Sequence, residues 1–380
     1  MTKRLLIITR HRLNENNGGS NASKGVVHCF AELFEHGSII YPEFEDADKY
    51  IPHNFKRFPC HDDRSRIRKG LDCYRGILSP LSSFTKAHLV TNFYDIIVID
   101  HSFIAADLIE TIKASGATTI TIHHNVERDY QHDNRKDYSM LFRWPYIHFA
   151  MKAERNCLQM SDLNLTVTEH DAKVFKSWYH DICVYNWGIY EFQPIPNRVF
   201  TKKEQKKVFI ITGSLYFMQS RLPILEFICR YWPIVKEKHP DSHLIIAGRN
   251  PAKDILEKCA KDSTISIIPN PKDIASLVQH ANYYICPINT GSGRKVRIMD
   301  GLKQGLPVLC HEVSLSGYEC MLSSNCLFVY HDENSFKISL EEILSSTPSP
   351  NKVYQTYQAN FSSEAGIKRL RSILKQENIL

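Results

Sequence analysis

Residues 287–310 read Pro-Ile-Asn-Thr-Gly-Ser-Gly-Arg-Lys-Val-Arg-Ile-Met-Asp-Gly-Leu-Lys-Gln-Gly-Leu-Pro-Val-Leu-Cys. The order predicts the end of a strand, a glycine loop, a helix and a second buried strand. Gly291 and Gly293 lack the side chain that blocks close backbone approach, and the helix behind them would offer unpaired N–H groups to a phosphate. Arg294, Lys295 and Arg297 fall on the expected first helical turn, where cations oppose the helix dipole unless an anion is present. Asp300, on the same helix, has the two acceptor oxygens that a ribose diol requires. A solvated basic turn and an exposed helical carboxylate are the plainer readings of these residues. Gly305 and Pro307 end the helix and open the next strand.

Outward from this segment, apolar β-branched runs alternate with helical patterns. Six lie in the first half, at Arg4–Thr9, Ser38–Tyr41, Asp95–Asp100, Thr118–His123, Leu163–Val167 and Ile182–Tyr185. Six more follow, at Val208–Thr212, His243–Ala247, Thr264–Ile268, Tyr283–Pro287, Pro307–Cys310 and Leu327–Tyr330. Such runs predict buried parallel strands. Between the two sets, residues 194–207 join two prolines to a cationic polar run, the composition of a linker. The predicted fold class is α/β, with two Rossmann-like doubly wound domains over 1–193 and 208–360 facing a cleft. Ligands are expected outside the carboxyl ends of the strands. Residues 361–380 predict an amphipathic helix carrying Ile367, Leu370, Ile373 and Leu374, returning to the first domain.

Composition narrows the function. A length of 380 residues fits two domains, and a net charge of +6 suits an anionic small molecule or membrane face better than nucleic acid. The 11 cysteines include no Cys-x-x-Cys pair, which predicts reduced thiols and a cytoplasmic setting. The apolar run Leu5–Ile8 is too short for a signal peptide, and no stretch approaches the roughly 18 to 20 apolar residues of a membrane span. No His/Cys cluster has metal-ligand spacing, and Asp46-Ala-Asp48 reads as a solvated loop, so no metal or resident cofactor is expected.

The chain resembles the retaining glycosyltransferases of family 4, which have the two-domain GT-B fold. The pieces that carry the resemblance are Gly18-Gly19, His124-Asn-Val-Glu127, Asn186-Trp-Gly-Ile189, Gly213-Ser-Leu215, Pro240–Gly248, Ile268-Pro-Asn270 and Gly291–Val308, in this order. The resemblance implies a sugar transferred from a nucleoside diphosphate donor to a glycan or lipid-linked acceptor during bacterial polysaccharide or lipopolysaccharide assembly. It further implies retention at the anomeric carbon, with a diphosphate oxygen taking the acceptor proton. It places Gly18 and Gly19 in a loop beside the donor, His124 next to the reacting sugar, Asn125 on the acceptor side, and Glu127 as a support or an acceptor-side group. His123 would point to the opposite face and reads as structural. Gly213, Ser214, Arg249, Asn270 and Asp300 would line the nucleotide site. Two departures stand out. The family's glutamate eight residues before the ribose acid is Ser292 here, and its usual arginine and lysine fall at Ser214 and about Gln219. Arg294, Lys295 or Arg221 would then neutralise the departing diphosphate. A GT-B protein that only binds nucleotide or glycan, and a sugar-nucleotide epimerase, are the alternatives. An oxidoreductase fits less well, because Asn17-Gly-Gly-Ser-Asn replaces the spaced Gly-x-Gly-x-x-Gly turn.

One segment stands apart. In 64–78, Ile67, Leu71, Tyr74 and Leu78 share a helical face, flanked by Arg64, Arg66, Arg68, Lys69 and Arg75. Two readings are open: a peripheral contact with an anionic membrane, at the inner face of the cell membrane, or a core-facing helix with a solvated basic side.

Overall fold

A computed structural model describes residues 3–15, 17–106, 108–134, 140–192, 207–291, 293–346 and 348–380. The chain forms two compact units. The first comprises Met1–Ile195, Ser292–Arg294 and Phe361–Leu380, and the second Pro196–Gly291 and Lys295–Asn360. The proposed linker, 194–207, lies almost wholly outside the described residues.

The first unit is built on seven strands: β1 (Leu5–Thr9), β2 (Gly37–Pro42), β3 (Phe55–Cys60), β4 (Ile96–Asp100), β5 (Thr118–His123), β6 (Leu163–Thr166) and β7 (Val184–Asn186). All pair in parallel, in the order β3-β2-β1-β4-β5-β6-β7. Every residue of β1 and β4 is buried, because helices cover both faces of the sheet. Leu5 and Ile7 join one core with Val26, Phe30 and Trp187, while Leu6 and Ile8 join another with Ile97, Ile99 and Leu108. The sequence reading missed β3, whose Phe-Lys-Arg-Phe-Pro-Cys interrupts apolar residues with charge and proline. That composition belongs to an edge strand, and β3 is at the edge.

The second unit holds six parallel strands: β8 (Val208–Ser214), β9 (His243–Arg249), β10 (Ile265–Pro269), β11 (Tyr283–Cys286), β12 (Val308–His311) and β13 (Leu327–Tyr330), in the order β10-β9-β8-β11-β12-β13. Both sheets are doubly wound, with the strand order reversing at β1/β4 and at β8/β11. The openings outside the carboxyl ends of these pairs are where such sheets bind ligands.

The chain returns to the first unit at its end. Helix Pro350–Phe361, which the sequence analysis did not assign, precedes a separate helix Ser363–Gln376 capped by Ser362. Leu370, Ile373 and Leu374 of that second helix enter the β1 core, and Gly366 accepts a hydrogen bond from Trp187 Nε1 at 3.1 Å.

Candidate functional site

In the first unit, three histidines follow the carboxyl ends of three adjacent strands: His11 after β1, His101 after β4 and His124 after β5. Their ring centroids lie 5.1 to 5.9 Å apart. His124 is 8% exposed, and its Nε2 donates to Asp100 Oδ1 at 2.7 Å. Thr9 Oγ1 donates to the other Asp100 oxygen at 2.6 Å, so this wholly buried carboxylate is held by two strand-end donors. Burial pushes the Asp100 carboxyl up, but His124 and His11 outweigh it and hold it below the usual carboxylate range. The bond at Nε2 leaves Nδ1 as the acceptor in the neutral ring. His11 is driven down to about 3, chiefly by burial, and its Nε2 is buried without a hydrogen-bond partner.

Gly18 and Gly19 are not a loop. Asn17 caps a helix over Gly18–Ala31 by accepting from Ser20 N, and both glycines lie in its first turn. A Cβ on Gly19 would run into the His11 ring, with Nε2 2.8 Å away, so the bare position makes room for that imidazole. Asn125 is half-buried, whereas Glu127 is 1% exposed. Glu127 accepts from Gln131, its backbone N–H donates to Glu154 Oε1 at 2.6 Å, and burial pushes its carboxyl up. Glu127 is thus an internal support for the His124 turn and is not exposed to an acceptor. His123, fully buried and bonded to Asn164 at 2.9 Å, is structural.

Arg294 and Lys295 precede the helix, which runs Arg297–Lys303, so only Arg297 and Asp300 lie in its first turn. Gly293 and Arg294 group with the first unit. A Cβ on Gly293 would lie 2.8 Å from both Asn125 Oδ1 and the His124 carbonyl oxygen. Arg294 is 9% exposed, donates to the Ile189 carbonyl at 3.0 Å and lies 4.3 Å from the Phe361 ring centre. Its guanidinium is thereby held against a carbonyl and an aromatic ring. Ser292 lies outside the described residues.

In the second unit, β8 and β11 pair at Phe209–Tyr283 and Ile210–Tyr284, and their carboxyl ends run on beyond the paired residues. Lys295 Nζ donates to the Gly291 carbonyl at 2.7 Å, which folds the ammonium back over the loop. A Cβ on Gly291 would meet Lys295 Nζ at 3.3 Å and Gln219 Nε2 at 3.5 Å, and that amide nitrogen is buried without a partner. The glycine backbone thus sits beside an ammonium and an unsatisfied N–H donor, a polarity matched to an anion.

Arg297 instead turns inward. It donates to the Thr212 carbonyl at 3.2 Å and Ser220 Oγ at 2.8 Å, and fills the place a Cβ on Gly213 would need. Arg221 pairs with Asp254 at 3.5 Å, and Ser214 Oγ accepts from Phe217 N at 3.3 Å. Asn270 Oδ1 accepts from Asn250 N at 2.9 Å, tying two strand-end loops together. Asp300 and Arg249 are exposed. Among the described residues, no group of three or more His, Cys, Asp or Glu side chains is placed to hold a metal ion.

Two doubly wound parallel sheets in one chain match the GT-B fold of its structural neighbours. Residues 206–346, which cover most of the second unit, match the family described as Glycosyl transferases group 1. An uncharacterized glycosyltransferase of Haemophilus influenzae is 23% identical over 146 residues, a match spanning 37% of this chain and 37% of the relative's length. The crystal structure of WaaG, a glycosyltransferase involved in lipopolysaccharide biosynthesis, superposes with a TM-score of 0.64 at 12% identity, over 98% of this chain and 99% of WaaG. HepE from Anabaena, in complex with UDP, gives 0.67 at 9% identity, over 98% of this chain and 100% of HepE. Likeness at such identities establishes the fold.

Asp100, His11 and His101 were missed by the sequence reading. The available signal was a polar residue at, or within two residues after, the end of each of three neighbouring apolar strands, which becomes visible only once β1, β4 and β5 are known to be adjacent.

Proposed function

We propose that the protein transfers a sugar from a nucleoside diphosphate donor to a glycan or lipid-linked acceptor in bacterial surface polysaccharide assembly, with retention and without a metal cofactor. The observation that carries the reading is the glycine loop at Gly291, which brings Lys295 Nζ and the partnerless Gln219 amide together. The group 1 domain and the UDP and UDP-glucose complexes of HepE support a nucleotide-sugar donor, and WaaG supports the surface-glycan setting.

In this mechanism the bond between the anomeric carbon and the diphosphate oxygen breaks, and negative charge grows on the leaving group. Lys295 and the Gln219 N–H groups stabilise that charge in place of the family's usual arginine and lysine. Asp300 accepts from the ribose hydroxyls. His124, its tautomer fixed by Asp100, accepts a hydrogen bond from a sugar hydroxyl through Nδ1. The acceptor oxygen bonds to the anomeric carbon on the face the diphosphate leaves, and its proton passes to a diphosphate oxygen.

A thermal-shift screen of uridine and guanosine diphosphate sugars tests this, since a ligand bound only by the folded chain adds about 2.7 kcal/mol at a hundredfold excess over Kd. One donor class should raise Tm, and Asp300→Ala should abolish the rise. If no sugar nucleotide shifts Tm, and none is cleaved to free nucleoside diphosphate with extracted lipid acceptor, the proposal fails.

A further inference from the structure

The short helix Arg66–Tyr74 is seated the wrong way round for a soluble surface. Its buried residues are Asp72 and Cys73, while Ile67 is 78%, Leu71 52% and Tyr74 49% exposed. The polar edge explains the seating. Asp72 is paired by Arg68 at 3.0 Å and Arg64 at 3.4 Å, so the acid anchors the helix inward and the apolar stripe points out. Of the two readings the sequence left open, the core-facing one is excluded.

The stripe does not stand alone. It meets the first turn of helix Met140–Met160, where Met140 is 86%, Leu141 67%, Phe142 36% and Trp144 69% exposed. Tyr74 Oη donates to the Leu141 carbonyl at 2.6 Å, the Tyr74 and Phe142 rings pack edge to face at 6.0 Å, and Gly70 lets Phe142 press against the helix backbone. Together these two adjoining helix segments carry seven of the 17 large apolar side chains exposed among the described residues. Patches of that kind mark an interaction surface.

Charge selects the occupant. Arg66, Arg68, Lys69 and Arg75 surround the stripe and are all exposed. Asp72 and Asp62 match Arg68 and Lys69, but among the described residues neither Arg66 nor Arg75 has an acidic partner. Apolar side chains that include Trp and Tyr, rimmed by unneutralised cations, match the layering of an anionic bilayer, which is apolar inside with phosphates at its surface. No helix among the described residues is long and apolar enough to cross a membrane, so such a contact is peripheral. We propose that Ile67, Leu71, Tyr74, Met140, Leu141 and Trp144, with Arg66 and Arg75, form a two-helix surface that docks the protein on an anionic phospholipid bilayer. The proposal does not rest on the donor chemistry above.

Cosedimentation of the full chain with vesicles tests it. The protein should pellet with vesicles of equal parts phosphatidylglycerol and phosphatidylcholine, and stay in solution with phosphatidylcholine alone. Arg66→Gln/Arg75→Gln should weaken partitioning about 25-fold, about fivefold for each cation removed, with the apolar stripe intact. Ile67→Ser/Leu71→Ser/Trp144→Ser should weaken it by about tenfold or more at unchanged charge. All these residues are exposed, so both variants should retain the wild-type Tm, which separates lost docking from lost folding. Failure of the wild type to pellet with anionic vesicles overturns the proposal. So does a wild-type dimer that the serine variant dissociates in light scattering without any vesicle binding, because a second copy would then be the occupant.

Discussion

Replacing Asp100 with asparagine keeps the shape of the β4 end and removes its charge. In the wild type, the carboxylate accepts from His124 Nε2 at 2.7 Å and Thr9 Oγ1 at 2.6 Å. A hydrogen bond to a charged group contributes about 1.5–3 kcal/mol, against about 1 kcal/mol for a neutral one. Weakening two such bonds costs about 1–4 kcal/mol, and relief from burying a charge offsets part of this, so the net loss is about 2 kcal/mol. For a unit of this size, Tm should fall by about 4–8 °C at pH 7. The pH profile supplies the sharper check. Because the folded carboxyl titrates below its unfolded value, its contribution is present above about pH 4 and is lost as the pH falls through the lowered folded value. Thermal unfolding of both proteins from pH 7 downward should therefore show two curves that converge in acid. The variant should also lose the fixed His124 tautomer, readable in the imidazole nitrogen shifts. An Asp100→Asn variant as stable as the wild type at neutral pH, or a gap that persists in strong acid, would refute the assignment.

Two further perturbations probe other parts of the molecule. Gly248→Ala places a Cβ on the Gly213 carbonyl oxygen of the paired strand β8, a backbone atom that cannot swing away; the urea midpoint should fall by the equivalent of about 3 kcal/mol, and a change within about 0.5 kcal/mol would contradict the packing. Burial pushes Glu154 up to about 9, so its contribution is present below the unfolded value near 4 and is lost as the pH rises through about 9. Glu154→Gln keeps an acceptor for Glu127 N without titrating. It should match the wild type near pH 4 and exceed it in stability at pH 8, and parallel profiles would disprove the buried neutral acid.

Which features could be read from the chain follows from what each depends on. Twelve strands were visible because β-branched apolar runs bury both faces of a parallel sheet, a property of local composition. Strand β3 escaped because Lys56, Arg57 and Pro59 belong to an edge. The Gly291 loop was legible, but the targets of its arginines were not, since a guanidinium serves a phosphate, a carbonyl or a ring equally well. Arg294 found Ile189 and Phe361, and Arg297 found Thr212 and Ser220. Periodicity identified the face of Arg66–Tyr74 without its direction, which an ion-paired Asp72 decides. The histidine cluster depended on strand order, a long-range property of the sheet.

The first unit recruits its closing helix from the far end of the polypeptide, so its interior is completed by Leu370, Ile373 and Leu374, which are synthesised after every strand of the second unit. During translation the amino-terminal sheet must wait, its Gly18–Ala31 side uncovered, until Leu370, Ile373 and Leu374 have left the ribosome. A premature stop that spares every group at the strand ends would still strike the amino-terminal sheet hardest, some 350 positions upstream of the missing residues.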